Sequence, residues 1–194
     1  MSDLHKRLID ALAKKGCASS DFDLNNDVQA PDAKLTPAAV LIAIRAETQT
    51  VILTKRSARL KHHPGQIAFP GGKQDPTDPT LIAAAMREAN EEIGLPGHIV
   101  NILGELPVHR TVTGYQVTPV LALLTGHYDP IPEAGEVSEV FEVPLAHVIN
   151  TTLFRVEGRH WQGRKRHYYA VPYGPYYIWG ATACILRVLA ERMA

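Results

Sequence analysis

Glu88, Glu91 and Glu92 stand at i, i+3 and i+4 in the run Arg87-Glu88-Ala89-Asn90-Glu91-Glu92-Ile93-Gly94-Leu95. On a helix that spacing sets three carboxylates along one flank. Like charges so placed repel by roughly 0.2–0.5 kcal/mol per pair unless something positive sits among them. A hard divalent cation such as magnesium or manganese takes oxygen ligands of this kind. The same glutamates would also suit a solvated acidic helix, so the surrounding residues must decide. Just upstream, Phe69-Pro70-Gly71-Gly72 offers paired glycines. There a backbone can approach a phosphate, or turn a carbonyl toward a metal, with no side chain in the way. A plain turn is the other use of such a pair.

The element carrying the carboxylates reads as a helix. Asp78 is placed as its N-cap and Pro79 as its first helical residue. Ile82, Met86, Ala89 and Ile93 recur at helical spacing and form an apolar stripe away from the glutamates. Gly94 supplies a left-handed stop, Leu95 folds back on the last turn, and Pro96 bars continuation.

In this context the run resembles the box of the Nudix hydrolases: a glycine, a glutamate farther on, then Arg-Glu, an aliphatic, any residue, Glu-Glu, any residue, Gly and an aliphatic. From Arg87 onward the match is complete. Counting back from Arg87 instead puts Pro79 at the upstream glutamate and Lys73 at the glycine. If Gly72 is the family glycine, Asp78 takes the place of that glutamate and one extra residue precedes Arg87. A second block, Leu53-Thr54-Lys55-Arg56-Ser57 with Leu60, His63, Gly65, Gln66 and Phe69 to Gly72, resembles the signature that precedes the box in the coenzyme A pyrophosphatase branch. The longer box and the spacing of Asp75 and Asp78 are similar to that branch too, as are the stretches 136–145 and 178–182.

The resemblance implies an α/β/α sandwich with a mixed β-sheet and a metal-binding box helix. It also implies hydrolysis of the diphosphate of coenzyme A or its thioesters with Mg2+ or Mn2+, and a small nucleoside diphosphate derivative as partner. Glu91 and Glu92 are then the main metal ligands, Glu88 a ligand or the general base, and Arg87 the residue that orients them. A further carboxylate from outside the box falls on Glu136, with Glu139 second. Arg56, Ser57, His63, Gly71 and Gly72 are the candidates for substrate contact. Arg56 reading a phosphate, or pairing with a box carboxylate while His63 holds its loop, are both open. The alternatives to the coenzyme A reading are another nucleoside diphosphate derivative (ADP-ribose, NADH, a dinucleotide) and a Nudix-fold sensor that does not cleave. The intact Arg87, Glu88, Glu91 and Glu92 weigh against the sensor.

Bulk properties fit one domain spanning 1–194, with an N-terminal helix and polar link over 1–35 and a core over 36–194. Twenty basic residues balance twenty acidic ones, so net charge calls for neither nucleic acid nor membrane. Two local basic clusters exist, 55–63 and 159–167; each suits a solvated surface or a multiply phosphorylated substrate. Two distant cysteines, Cys17 and Cys184, make no disulfide framework, and with no signal pattern or apolar span the expected location is the cytoplasm. A homodimer is left open.

Periodicity predicts an amphipathic helix from Leu4 ended by Gly16 and a polar link over 19–34. Strands follow over 38–46, 51–55 and 66–69, then a turn at Gly71-Gly72. After the box come strands 99–106, 116–124 and 137–143 and a short helix 145–150. Short strands at 153–157, 158–161 and 167–170 precede a closing helix over 177–193.

Overall fold

Two long runs, Thr36–Arg45 and Tyr115–Leu124, are apolar at nearly every position rather than at alternate ones, the mark of strands covered on both faces. The computed structural model, which describes residues 3–25, 34–161 and 163–194, pairs these two in parallel over ten residues, from Thr36 with Tyr115 to Arg45 with Leu124. In chain order the elements are α1 (Asp3–Ala13), β1 (Ser19–Ser20), β2 (Thr36–Arg45), β3 (Thr50–Arg56), β4 (Ile67–Ala68), β5 (Gly71–Lys73), α2 (Leu81–Ile93), β6 (Val100–Glu105), β7 (His109–Arg110), β8 (Tyr115–Leu124), β9 (Val137–Pro144), α3 (Leu145–Val148), β10 (Arg155–Trp161), β11 (Arg164–Ala170) and α4 (Ala181–Met193). The main sheet runs β1-β7-β8-β2-β3-β4, with β5 on β2, β6 on β8 and β9 on β3. Among the described residues only β1/β7 and β2/β8 are parallel, so the sheet is mixed, as expected. β10 and β11 form a separate antiparallel hairpin.

Alternation sorts the core into two layers. Ile42, Ile44, Leu53, Leu121 and Val143 face one side with Leu8 of α1 and Leu186 and Leu189 of α4. Leu41, Ala43, Ile52, Val120 and Ala122 face the other with Ala85, Ala89 and Ile93 of α2. This is the expected α/β/α sandwich. A one-residue slip of β2 would exchange its two side-chain sets between layers of different shape, which fixes the register that sets β5 opposite residues 38–40.

Several boundaries differ from the sequence expectation. α2 is capped by the Thr80 hydroxyl, which accepts from Ala83 N–H at 3.1 Å, because Asp78 is drawn to Arg87 instead. Gly71 and Gly72 belong to strand β5 rather than to a turn. The expected strands 153–157 and 158–161 are the single strand β10 from Arg155, since Gly158 keeps its pairing with His167, while Thr151–Leu153 forms a 3-10 turn. α4 starts at Ala181, four residues late: Gly180 has φ 64°, a left-handed geometry that no helix continues through. α1 stops at Ala13 rather than Gly16, and its last carbonyls are taken by Arg192 of α4, whose Nε donates to Ala11 O at 2.9 Å and Nη2 to Leu12 O at 3.0 Å. Of the expected polar link, 26–33 lies outside the described residues, while Ser19–Ser20 is strand β1.

That strand is pinned by a buried chain the sequence did not reveal. Ser19 Oγ lies 2.9 Å from His109 Nδ1, and His109 Nε2 lies 3.1 Å from Asp21 Oδ1. Burial is the largest single influence and opposes charge on His109, but the hydrogen bonds and negative charge of Asp21 and Cys184 together outweigh it and the pKa is raised to about 9. A histidine raised above its ordinary 6.5 stabilises the fold fully below that value and loses the contribution as pH climbs through 9. Urea titrations at pH 6 and 9.5 are expected to show wild type losing about 2–3 kcal/mol across that window, and Asp21→Asn losing much less.

Candidate active site

The site is built where β3 ends, β5 crosses under α2, and the loop 129–136 returns to β9. α2 presents Glu88, Glu91 and Glu92 toward these segments because its opposite face is spent on the core: Ala85, Ala89 and Ile93 are buried, with Ile82 and Met86 packed against them. Its end is the predicted left-handed cap. Gly94 has φ 67° and its N–H donates to Asn90 O at 2.9 Å, while Leu95 N–H returns to Ala89 O at 3.3 Å. The carbonyls that a helix leaves free at its C-terminus then receive the acidic loop, with Ile131 N–H on Ile93 O at 3.0 Å and Glu133 N–H on Glu92 O at 2.9 Å. This delivers Glu136 beside the box glutamates.

Glu92 is the most enclosed of them, 4% exposed. Its Oε2 accepts from Gly71 N–H at 3.1 Å. Burial pushes its pKa up to about 7; the Gly71 amide and the Arg56 charge oppose this, and Glu88 and Glu136 add to it. Glu88 is raised as well, first by burial, then by Glu91 and Glu136, against the pull of Arg87. Glu88, Glu92 and Glu136 thus feel one another as like charges, and Arg56 lies within reach of the same field.

The glycines are shaped by these carboxylates. A Cβ on Gly72 would run into the Glu88 carboxylate, and one on Gly71, whose φ is 152°, would meet Ala39 O and the Val40 backbone. Asp78 accepts from Arg87 Nε at 3.1 Å and Nη2 at 2.9 Å, which holds the Asp78 carboxyl below its usual range. Arg87 also reaches Glu91 at 2.8 Å and Glu88 at 3.1 Å. Glu91 keeps 58% of its side chain exposed, and the one guanidinium nitrogen Nη1 links it to Glu88.

Other candidates fall differently. Ser57 is 5% exposed; its Oγ accepts from Arg59 N–H at 3.3 Å and its own N–H donates to Glu136 O at 2.7 Å, so it ties the signature loop to the acidic one. His63 sits on that exposed loop with φ 54°, its carbonyl accepting from Gln66 N–H at 3.3 Å. Glu139 accepts from the Tyr176 hydroxyl and Glu142 pairs with Arg45 at 2.6 Å, leaving Glu136 as the loop carboxylate coupled to the box. The bond of Asp78 to Arg87 and the two backbone bonds of the acidic loop could not be read from spacing.

Among the described residues no three His, Cys, Asp or Glu side chains already close on one point. The donor set still fits a hard divalent cation: every group is a carboxylate oxygen, and the most buried one is destabilised by like charges that a cation would offset.

A NUDIX domain model matches residues 34–166. The chain belongs to the Nudix family. Relatives described as uncharacterized Nudix hydrolase NudL include one from Enterobacter sp. (strain 638), 44% identical over 156 residues, which covers 79% of this chain and 80% of that one. Another, from Yersinia pestis (strain Pestoides F), is 39% identical over 158 residues, covering 81% and 79%. Among solved structures, a C. elegans Ap4A hydrolase binary complex superposes with TM-score 0.50 at 23% identity, over 58% of this chain and 83% of that one; that likeness concerns the fold. Nudix hydrolases work on small nucleoside diphosphate derivatives with divalent ions, and the arrangement above is this Nudix hydrolase's candidate centre.

Gly72→Ala tests the packing of that centre. Displacing the Glu88 carboxylate by about an ångström is expected to lower kcat by ~10²-fold, with a melting temperature close to wild type. Turnover left unchanged would show that Glu88 has no fixed position in the reaction.

Proposed function

We propose that this Nudix hydrolase cleaves the diphosphate of coenzyme A or its thioesters, giving 4′-phosphopantetheine or its acyl form and adenosine 3′,5′-bisphosphate. The observation that carries the reading is Arg56. Its Nε is buried without a hydrogen-bond partner among the described residues, its charge acts on Glu92, and it opens the block that resembles the coenzyme A pyrophosphatase signature. A guanidinium with an unfilled donor beside a metal-type centre suits a phosphate oxygen, which its planar fork binds in two-point fashion.

Glu92, Glu88 and Glu136 would hold the Mg2+ or Mn2+, joined by Glu91 once it leaves Arg87. When bound, the cation supplies positive charge to the diphosphate oxygens and makes a nearby water more acidic. Glu88, whose burial raises its proton affinity, is equally suited to take that water's proton. Arg87, anchored on Asp78, positions Glu88 and Glu91. Gly72 lets β5 lie directly against the Glu88 carboxylate, and Gly71 lies against the β2 backbone while its N–H holds Glu92, so the two glycines set the carboxylates at the place where a diphosphate would meet them. Ser57 positions the loop that follows Arg56, and His63 lies on that loop within the substrate-contact signature.

The deciding experiment offers coenzyme A, dephospho-coenzyme A, ADP-ribose and NADH with Mg2+ or Mn2+ and identifies the products. Coenzyme A is expected to be the best substrate. Preferred cleavage of ADP-ribose or NADH would replace the reading with the rival one, and binding without cleavage would make the protein a sensor. Glu92→Gln and Glu91→Gln are each expected to lose most activity while remaining folded, because an amide keeps the shape without the charge. Losing Glu88 as base would cost about 10²–10⁴ in rate.

Arg56→Ala gives a finer test. Loss of a hydrogen bond to a charged group should cost on the order of 1.5–3 kcal/mol in kcat/KM. A loss large for coenzyme A and small for the dephospho form would place Arg56 at the 3′-phosphate, and equal losses would place it at the diphosphate.

A further inference from the structure

The hairpin β10/β11 stands outside the main sheet, and the chemistry above leaves it without a task. It carries part of the second basic cluster and faces the segment 176–180 that leads into α4. Four side chains meet there. Arg159 stands over the indole of Trp179, 5.7 Å from the ring centroid. Tyr168 meets Trp179 edge-on at 5.0 Å, and Tyr177 lies tilted beside it at 6.4 Å. The Tyr177 hydroxyl donates to Glu157 at 2.5 Å and lies 3.2 Å from that of Tyr168. An aromatic group of this size normally belongs to a core, yet Tyr177 is 41% exposed and Trp179 only partly buried.

Backbone contacts join this cluster to the candidate site. Trp179 bridges Ala170 of β11, and Gly180 N–H donates to Tyr169 O at 3.0 Å. A Cβ on Gly180 would lie 3.7 Å from the Gln66 amide nitrogen. Gln66 O in turn accepts from Arg56 N–H at 2.9 Å, and Thr182 Oγ1 donates to Ile67 O at 3.0 Å. On the other side, the Tyr176 hydroxyl holds Glu139, which lies opposite Lys55 in the ladder. The segment 176–180 that carries the platform is therefore tied through Gln66 to the strand end that bears Arg56, and through Tyr176 to β9.

A flat aromatic surface with a guanidinium beside it matches a nucleobase that carries phosphate. We propose that Trp179, with Tyr168, Tyr177 and Arg159, forms the nucleotide-binding platform of this enzyme, stacking the adenine of the substrate on the indole and pairing Arg159 with the phosphorylated ribose. The inference rests on the coenzyme A reading for its ligand and adds the residues that grip the adenosine half.

The test is binding to the full-length protein without added metal, followed by tryptophan fluorescence. A Trp161→Phe background leaves Trp179 as the sole indole, because the chain has two tryptophans. Adenosine 3′,5′-bisphosphate should quench it saturably and 4′-phosphopantetheine should not. Against the wild-type chain, read by calorimetry, Trp179→Leu should weaken nucleotide binding about 5- to 100-fold, and Trp179→Phe should restore most of it. Arg159→Ala, at an exposed position, should weaken adenosine 3′,5′-bisphosphate but not adenosine, and should raise KM for coenzyme A with kcat little changed. Unaltered nucleotide affinity in both folded Trp179→Leu and Arg159→Ala, or equal quenching by 4′-phosphopantetheine, would overturn the platform. If coenzyme A is not cleaved but ADP still quenches Trp179 and loses affinity in Trp179→Leu, the coenzyme A reading falls and the platform stands.

Discussion

A carboxylate 4% exposed, held by one backbone N–H and surrounded by two more carboxylates, is the constraint on which the site depends. Glu92 enters the interface between α2 and β5, where burial, with help from Glu88 and Glu136 and against the Gly71 amide and Arg56, lifts its pKa to about 7. A buried charge of this kind is costly unless it is paired or coordinates a metal. The fold tolerates it because the amide of Gly71 is aimed at it, on a strand that can lie this close only because Gly71 meets the β2 backbone and Gly72 the Glu88 carboxylate with no side chain between. The arrangement trades stability for a centre with strong affinity for positive charge.

Everything around Glu92 serves to keep that centre in one geometry. β5 is fixed by its pairing with β2, and β2 is fixed by ten parallel pairs with β8 and by two differently shaped layers on its faces. The helix end is fixed by Gly94, and its free carbonyls take hold of the loop that brings Glu136. Arg87 bridges Glu88 and Glu91 while Asp78 restrains it. The guanidinium thus stabilises the glutamate cluster from outside and leaves its interior face for a cation.

The reach of the sequence can be judged from particular residues. The glutamate spacing, the Gly94 stop and the apolar stripe of α2 were legible because they depend on helical periodicity, a local property. The two-layer sandwich was legible from the series of strands with flanking helices and from the resemblance to the Nudix family, which implies that fold. Asp78 as an N-cap was a reasonable local expectation, but Thr80 caps the helix because the long-range pairing with Arg87 took Asp78 away. The late start of α4 likewise reflects Gly180, whose left-handed backbone serves the bridge between Trp179 and β11 rather than the helix. The chain Ser19, His109 and Asp21 joins residues about ninety positions apart, and no pattern in either segment announces the other.

The amino-acid sequence by itself determined which groups are available: a hard-oxygen ligand set at helical spacing, glycines that can lie against it, an arginine-bearing signature and the family that combines them. Those are matters of residue type and local period. The tertiary structure alone decided how they divide the work. It buried Glu92 and exposed Glu91, occupied Glu139 with Tyr176, brought Glu136 to the box through bonds from Ile131 and Glu133, and left the Arg56 Nε without a partner among the described residues. Each of these outcomes depends on burial and on contacts between distant segments, because solvation and charge coupling are set by what surrounds a group in space and not by its neighbours along the chain.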